Sequence, residues 1–175
     1  MTRAVRAAGA AARRAPEALT DLACACATAR QVARVLTQLY DSRLRGTGIE
    51  APQFALMMTL DKQGPSSQAA LGRRYAIDKT TISRNLTLLA RNGWIESPAA
   101  GGAGERRFML TAAGRKRLAA ARPEWMKAQE HLRTRMTARD WDAMWRVFRK
   151  VTAAAQDVQR ADRDVQRADR METAR

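Results

Sequence analysis

The chain has 175 residues and an uneven charge, with 32 lysines and arginines against 17 aspartates and glutamates, a net charge of +15 and an isoelectric point near 11.4. Its 46% hydrophobic content argues against global disorder, and no apolar run approaches the ~20 residues that a membrane-spanning helix needs. One histidine, two cysteines and no glycine-rich phosphate loop argue against an enzyme, a metal site or a bound cofactor.

Positive charge concentrates in the middle of the chain. Residues 72–122 contain eleven basic and three acidic side chains, whereas residues 156–175 contain five of each. Such clustering is typical of a surface that binds a polyanion, either nucleic acid or an anionic membrane.

The N-terminal region predicts an arm followed by a long helix. Residues 1–17 are rich in alanine and arginine, and without the apolar segment of a secretory signal they are interpreted as a flexible basic arm. Apolar side chains then recur at helical spacing from Leu22 to Tyr40, which predicts a helix over residues 18–46 that ends at the glycines of "GTGIEAP".

Cys24 and Cys26, within "DLACACATARQ", allow three interpretations: a redox switch, a metalloid site or small packing residues. On a helix, residues two apart point about 200° from each other, so the pair cannot close a disulfide or share a metal without unwinding. We therefore favour packing within a dimer interface, with a thiol sensor as the alternative. Two cysteines at this spacing make no disulfide framework, which predicts a cytoplasmic protein.

The centre of the chain predicts a helix-turn-helix. A short helix follows Pro52 and ends at Gly64, Ser67 caps a helix over 68–75, and Asp78 caps another that runs to about Asn92. In that last helix an inward apolar face opposes a polar one. The inward residues are Ile82, Leu86 and Leu89, and the polar residues are Thr80, Arg84, Thr87 and Arg91.

Two short strands, "WIES" and "RRFMLT", flank the flexible tip "PAAGGAG" and complete a basic hairpin, or wing. We expect the second helix to enter the DNA major groove, with Arg84 reading guanine and the small hydroxyls permitting close approach. Arg73, Arg74 and Lys79 are expected at phosphates, and Arg106 or Arg107 in the minor groove or on the backbone. The predicted DNA-binding residues are Ser67, Gln68, Arg73, Arg74, Lys79, Thr80, Thr81, Ser83, Arg84, Thr87, Arg106 and Arg107.

The C-terminal part predicts two more helices. The first is expected to kink at Pro123, and the second begins after its cap, Thr137. The segment "DVQRADR" occurs at 157–163 and again at 164–170, so that valine and alanine continue a heptad pattern. Because valine and alanine make a weak seam, we expect this tail to fray beyond about residue 165.

The stretch "SSQAALGRRYAIDKTTISRNLTLLARNGWIE", followed after the wing by "RRFMLTAAGRKRL", resembles the MarR family of bacterial winged-helix regulators. The family pattern L-x-x-L-x-x-x-G-[WLY]-[IV], then L-T-x-x-G, is filled by Leu86, Leu89, Gly93, Trp94, Ile95, Leu110, Thr111 and Gly114. One departure is the wing, which lacks the family's Asp-x-Arg element and has only Glu105 to support an arginine.

The resemblance implies a mainly helical, intertwined homodimer with a small β-hairpin wing. Residues 51–115 would form the winged helix-turn-helix domain, 18–50 and 116–156 the dimerisation helices, and 157–175 a tail. It also implies a repressor that binds a pseudo-palindromic operator on double-stranded DNA and releases it when a small ligand or an oxidant arrives. The effector that we expect is a small aromatic acid or phenol. Candidate residues for that ligand are Arg30, Arg34, Met57, Met58, Trp125 and His131.

Three alternatives remain at this point. The first is a repressor that senses oxidants or metalloids through Cys24 or Cys26. The second is an architectural protein that coats DNA without sequence preference, for which the charge and the basic arm suffice. The third is a coiled-coil scaffold built on the terminal heptads.

Overall fold

The computed structural model describes residues 24–97 and 106–173 of the chain. The predicted arm at 1–17 and the glycine-rich wing tip lie outside the described residues. The chain divides into two compact units, with the boundary between Ala128 and Gln129. In the described ranges, no helix combines the length and the apolar character needed to cross a bilayer.

Six helices and three short strands make up the described structure. In chain order they are α1 (Ala25–Leu44), α2 (Ala51–Gln63), β1 (Ser66–Ser67), α3 (Gln68–Tyr75), α4 (Lys79–Arg91), β2 (Ile95–Glu96), β3 (Arg107–Leu110), α5 (Ala112–Arg133) and α6 (Ala138–Thr173), with a 3-10 turn at Arg45–Thr47 after α1. The expectation of a mainly helical protein with a small β wing is confirmed.

Local capping chemistry sets the helix starts. The Glu50 and Gln53 side chains form a reciprocal capping box at the start of α2, with Pro52 in its first turn. The Ser67 hydroxyl accepts the N–H of Ala70 at 3.2 Å and so caps α3. At both helices the capping bonds join residues that are only three positions apart at the N-terminal end of the helix.

The small sheet has the order β1-β3-β2, and both pairings are antiparallel. In it Ser66 pairs with Phe108, and Ile95 pairs with Leu110. Strand β1 was not predicted from the sequence. It ties the start of α3 to the base of the wing, so that the helix-turn-helix and the hairpin share one framework.

A single apolar core holds α2, α3, α4 and the sheet together. The fully buried side chains include Leu71 on α3 and Ile82, Leu86 and Leu89 on α4. The predicted inward face of α4 is therefore confirmed. Its opposite face is left free for a partner.

A close backbone joint connects the end of α4 to the start of α5. The Thr111 hydroxyl donates to the Gly93 carbonyl at 2.6 Å and accepts the N–H of Gly114 at 2.9 Å. The Thr111 N–H donates to the Trp94 carbonyl at 3.1 Å. A Cβ added to Gly114 would lie 1.9 Å from that carbonyl oxygen, so only glycine fits there.

Helix α5 continues through Pro123, and whether it bends there stays a prediction. Thr137 caps α6 as expected, because its hydroxyl accepts the N–H of Asp140 at 3.1 Å. Helix α6 continues to Thr173, and fraying of the tail beyond about residue 165 stays a prediction. Its arginines, glutamines and alanines favour helix, and Arg160 pairs with Asp157 one turn earlier at 3.7 Å.

Candidate DNA-binding surface and neighbouring cavity

The start of α4 is held rigidly by its cap. One Asp78 carboxylate oxygen accepts the N–H groups of Thr80 and Thr81, each at 2.9 Å, and the other accepts the Thr81 hydroxyl at 2.7 Å. The Gln68 side-chain amide donates to the Lys79 carbonyl at 3.2 Å, which links α3 to α4. The first turn of α4, which a groove-reading helix presents to bases, therefore has a fixed geometry.

These bonds give stability a pH dependence that one substitution should remove. The pKa of Asp78 is lowered, first by the Thr81 hydroxyl and then by the backbone N–H of Thr81. Because the folded pKa lies below the usual value of 3.8, the cap stabilises the protein above that value and is lost as pH falls through the folded pKa.

For Asp78→Asn, which keeps a capping oxygen without the charge, we expect slightly lower thermal stability at pH 7. We also expect the melting temperature of Asp78→Asn to fall less than that of wild type between about pH 5 and about pH 2.5. All other carboxylates contribute equally to both proteins and cancel. Identical acid sensitivity in the two proteins would contradict the assignment.

The exposed face of α4 forms a shallow concave surface. Its lining residues are Gln68, Lys79, Thr80, Ser83, Arg84, Thr87, Leu88 and Arg91. Thr81 is also exposed, with its hydroxyl committed to Asp78. The ion pairs among the described residues lie elsewhere, so the cations of this face remain available to an anion.

The base of the wing adjoins the same face. Arg106 lies over the Phe108 ring at 5.1 Å and shares a second concavity with Ser83, Thr87 and Arg91. Arg107 is exposed and pairs across the sheet with Ser67, which is buried and serves as the α3 cap. Which arginine contacts DNA stays a prediction, because the wing tip lies outside the described residues.

The two arginines of α3 face different surroundings. Arg73 lines a depression together with Lys79, at the start of α4. Arg74 instead lines a cavity with Lys62 of α2 and Trp125 of α5. The sequence prediction treated both as phosphate contacts, whereas this geometry associates only Arg73 with the start of α4.

That cavity has a volume of about 380 Å³, and four of its eleven lining residues are aromatic. The Phe54 and Trp125 rings stack at 5.6 Å, and burial raises the pKa of Tyr40. The Tyr75 hydroxyl donates to the Ala55 carbonyl at 2.7 Å. The complete lining is Tyr40, Ala51, Phe54, Ala55, Met58, Thr59, Lys62, Gln63, Arg74, Tyr75 and Trp125. Flat apolar walls beside two cations suit a small aromatic anion.

Of the six residues predicted to bind a ligand, Met58 and Trp125 line this cavity. Met57, which precedes Met58 in the sequence, is fully buried in the core. Arg30 and Arg34 are exposed on α1 and are not part of the lining, and His131 is exposed in the second unit. Ligand binding by any of them stays a prediction.

The cysteines differ from the expectation in one respect. Cys24 has extended backbone angles and precedes α1, so placing both thiols on opposite sides of one helix is wrong. Both thiols are exposed in the single chain. The pKa of Cys24 is lowered by the nearby backbone N–H groups, first that of Ala27 and then that of Cys26. The Cys24 side chain does not form a capping hydrogen bond at the start of α1. Burial of the pair against a second copy stays a prediction.

Comparison with known proteins identifies the fold and the family. Residues 49–99 match the model of the MarR family. The transcriptional regulator MosR of M. tuberculosis is 32% identical, with 77% of this chain and 96% of MosR covered and a TM-score of 0.68. A second structure, of MosR in complex with DNA, is 34% identical, with 76% and 96% covered and a TM-score of 0.68. The chain belongs to the MarR family.

Two further proteins are similar to this chain. The uncharacterized HTH-type transcriptional regulator YwoH of Bacillus subtilis is 23% identical over 119 residues, which cover 68% of this chain and 87% of YwoH. PcaV of Streptomyces coelicolor, in complex with its natural ligand, shares the fold with a TM-score of 0.67 at 20% identity, covering 77% of this chain and 96% of PcaV. The protein is thus a MarR-family DNA-binding transcriptional regulator, from a family and fold of regulators and not of enzymes.

The family's sequence pattern has a physical basis in this structure. Leu86 and Leu89 fill the core beneath α4, Gly93 has a positive φ of 69°, and Gly114 leaves room for the Trp94 backbone. Thr111 caps α5 and accepts and donates across the joint. The MarR pattern therefore describes how α4 is fastened to α5.

Sequence reasoning missed several residues that the structure brings to these sites. Tyr40, Phe54, Lys62 and Tyr75 line the cavity although none was predicted to do so. Leu88 lies on the concave surface of α4 beside Arg84. Its spacing of four residues from Arg84 was a signal that could have found it.

Proposed function

We propose that this MarR-family regulator is a homodimeric repressor that binds a pseudo-palindromic operator and releases it when a small aromatic acid or phenol occupies the cavity. The observation that carries the proposal is the cavity itself, whose wall includes the last two residues of α3. Those residues immediately precede the turn into the DNA-reading helix.

The DNA-binding part rests on the exposed face of α4. Lys79, Arg84 and Arg91 form no ion pair with another described residue and surround small hydroxyl side chains, a composition suited to phosphates and base edges. MosR, a relative that has been crystallised with DNA, is 34% identical to this chain. The assignment of individual contacts is our inference from this surface.

The effector part rests on the chemistry of the cavity. A benzoate-like ligand would stack between aromatic side chains while its carboxylate meets Lys62 or Arg74. PcaV has been crystallised with its natural ligand, which fits a regulator of this fold that responds to a small molecule. A ligand in this cavity would favour one position of α3 over another, and differential affinity of that kind shifts DNA binding.

The dimer rests on apolar side chains that the single chain leaves exposed. On α6 these include Trp145, Val147, Phe148 and Val151, and on α1 Val35 is 59% exposed. Two edge-to-face contacts, Trp141–Trp145 at 5.8 Å and Trp145–Phe148 at 6.3 Å, hold the α6 aromatics in a ridge. A second copy would remove these surfaces from water.

The proposal is tested by selecting duplexes from a random pool and measuring affinity against nonspecific competitor DNA. We expect one enriched, two-fold symmetric site bound by one dimer, with affinity reduced by benzoate or salicylate. Equal affinity for every duplex, falling equally with salt, would support the architectural alternative instead. A variant ending at residue 156 should remain dimeric, and its dissociation would support the scaffold alternative.

Arg74 and Arg73 provide a matched pair for the effector. For Arg74→Gln, we expect about tenfold weaker binding of salicylate, because a charge-assisted hydrogen bond to its carboxylate is lost. For Arg73→Gln, the salicylate affinity should be unchanged while DNA affinity falls. Calorimetric titration of each variant with salicylate measures the difference. Equal effects of the two substitutions on salicylate would contradict the assignment of Arg74 to the cavity.

A thiol sensor is the second candidate, favoured by the exposed Cys24 at the start of α1 with its lowered pKa. Because Cys24 precedes the helix, the two thiols are not held on opposite faces of it. Diamide and arsenite should then release operator DNA from wild type but not from Cys24→Ser or Cys26→Ser. If neither reagent alters the wild-type affinity, this candidate is excluded.

A further inference from the structure

Leu88 is an apolar side chain on an otherwise polar DNA-facing surface. It is 43% exposed and lies on the concave face of α4 with Arg84, Thr87 and Arg91. The other large exposed hydrophobic side chains among the described residues belong to α1, α5 and α6. Leu88 is therefore surrounded by polar and basic side chains and lies apart from the exposed apolar side chains of α1, α5 and α6.

Leu88 is not one of the buried side chains that form the core of the domain. Its neighbours Leu86 and Leu89 are 2% and 0% exposed and supply the inward face of the helix. Leu88 follows Arg84 by one helical turn and precedes Arg91 by three residues, so all three share the outward face. Any group that Leu88 contacts on a partner must therefore lie next to the groups that Arg84 and Arg91 contact.

The major groove offers one apolar group, the 5-methyl of thymine. We propose that Leu88 reads a thymine methyl in the operator and so determines part of its sequence. The inference rests on the proposed function, in which this face of α4 enters the groove. Four residues advance the helix by about 6 Å, or about two base steps, which places the thymine near the base that Arg84 contacts.

The test uses the symmetric duplex enriched from a random pool by the wild-type protein. Each thymine of a half-site is replaced in turn by uracil, which removes only the methyl, and affinity is measured for wild type and Leu88→Ala. We expect one thymine per half-site whose replacement weakens wild-type binding about fourfold, the equivalent of about 0.8 kcal/mol per buried methyl. Binding by Leu88→Ala should be weaker from the start and insensitive to that replacement.

The outcomes separate the inference from the proposed function. If the enriched site has no such thymine, or uracil weakens wild type and Leu88→Ala equally, Leu88 does not read a methyl although sequence-specific binding stands. If no duplex is enriched, the operator-binding proposal itself fails, and the inference with it. Uracil at thymines flanking the half-sites is the internal control and should change nothing.

Discussion

Replacing Gly114 with alanine should strongly destabilise the DNA-binding unit. The added Cβ would lie 1.9 Å from the Trp94 carbonyl oxygen and 2.8 Å from its carbonyl carbon, and backbone atoms cannot rotate away as a side chain can. Overpacking of this kind costs about 3 kcal/mol, a large part of a typical domain's stability. Urea unfolding of Gly114→Ala followed by circular dichroism measures the loss.

Gly46 supplies the control for this prediction. No heavy atom lies within 4 Å of a Cβ added there, and its backbone is compatible with alanine. We expect Gly46→Ala to alter the free energy of unfolding by less than about 0.5 kcal/mol. If both variants were as stable as wild type, the joint between Trp94 and Gly114 would have to be looser than its distances indicate.

Replacing Arg84 with alanine should cause the largest loss of operator affinity. Arg84 is exposed in the second turn of α4 and makes no ion pair among the described residues. A bidentate contact to guanine contributes about 1–3 kcal/mol of discrimination, so we expect about tenfold to hundredfold weaker binding for each half-site. Fluorescence anisotropy with operator and with scrambled duplex measures both affinities.

Lys79 distinguishes base reading from phosphate contact. For Lys79→Ala, affinity should fall by a similar factor for operator and scrambled DNA, with a shallower salt dependence. For Arg84→Ala, the loss should be concentrated on the operator. If Arg84→Ala weakens both duplexes equally, Arg84 contacts the backbone and another residue of α4 reads the base.

Much of the DNA-binding unit could be predicted from the sequence, because its helix starts depend on local chemistry. Asp78 and Ser67 bond to N–H groups two or three residues away, and such bonds follow from side-chain type and spacing. The inward face of α4 follows from apolar periodicity alone. These features need no knowledge of the rest of the fold.

Features set by distant contacts could not be predicted in the same way. Strand β1 exists only because Ser66 and Ser67 meet β3 some forty residues later. Met57 and Met58 are adjacent in sequence, and only the packing of α2 decides that the first is core and the second faces the cavity. Likewise the side on which Arg74 lies depends on how α3 is held against α2, to which the Tyr75 hydroxyl donates a hydrogen bond.

The turn between the two DNA-binding helices has a mechanical consequence. Ala76 is the one non-glycine residue of the described chain with a positive φ, 51°, and it directly follows Tyr75, whose hydroxyl is anchored to α2. A glycine there would be compliant and absorb a displacement of Tyr75, whereas alanine has few alternative conformations in this region. If a ligand fills the cavity as proposed, we expect a displacement of Tyr75 to pass through Ala76 and Ile77 to Asp78, the cap of α4.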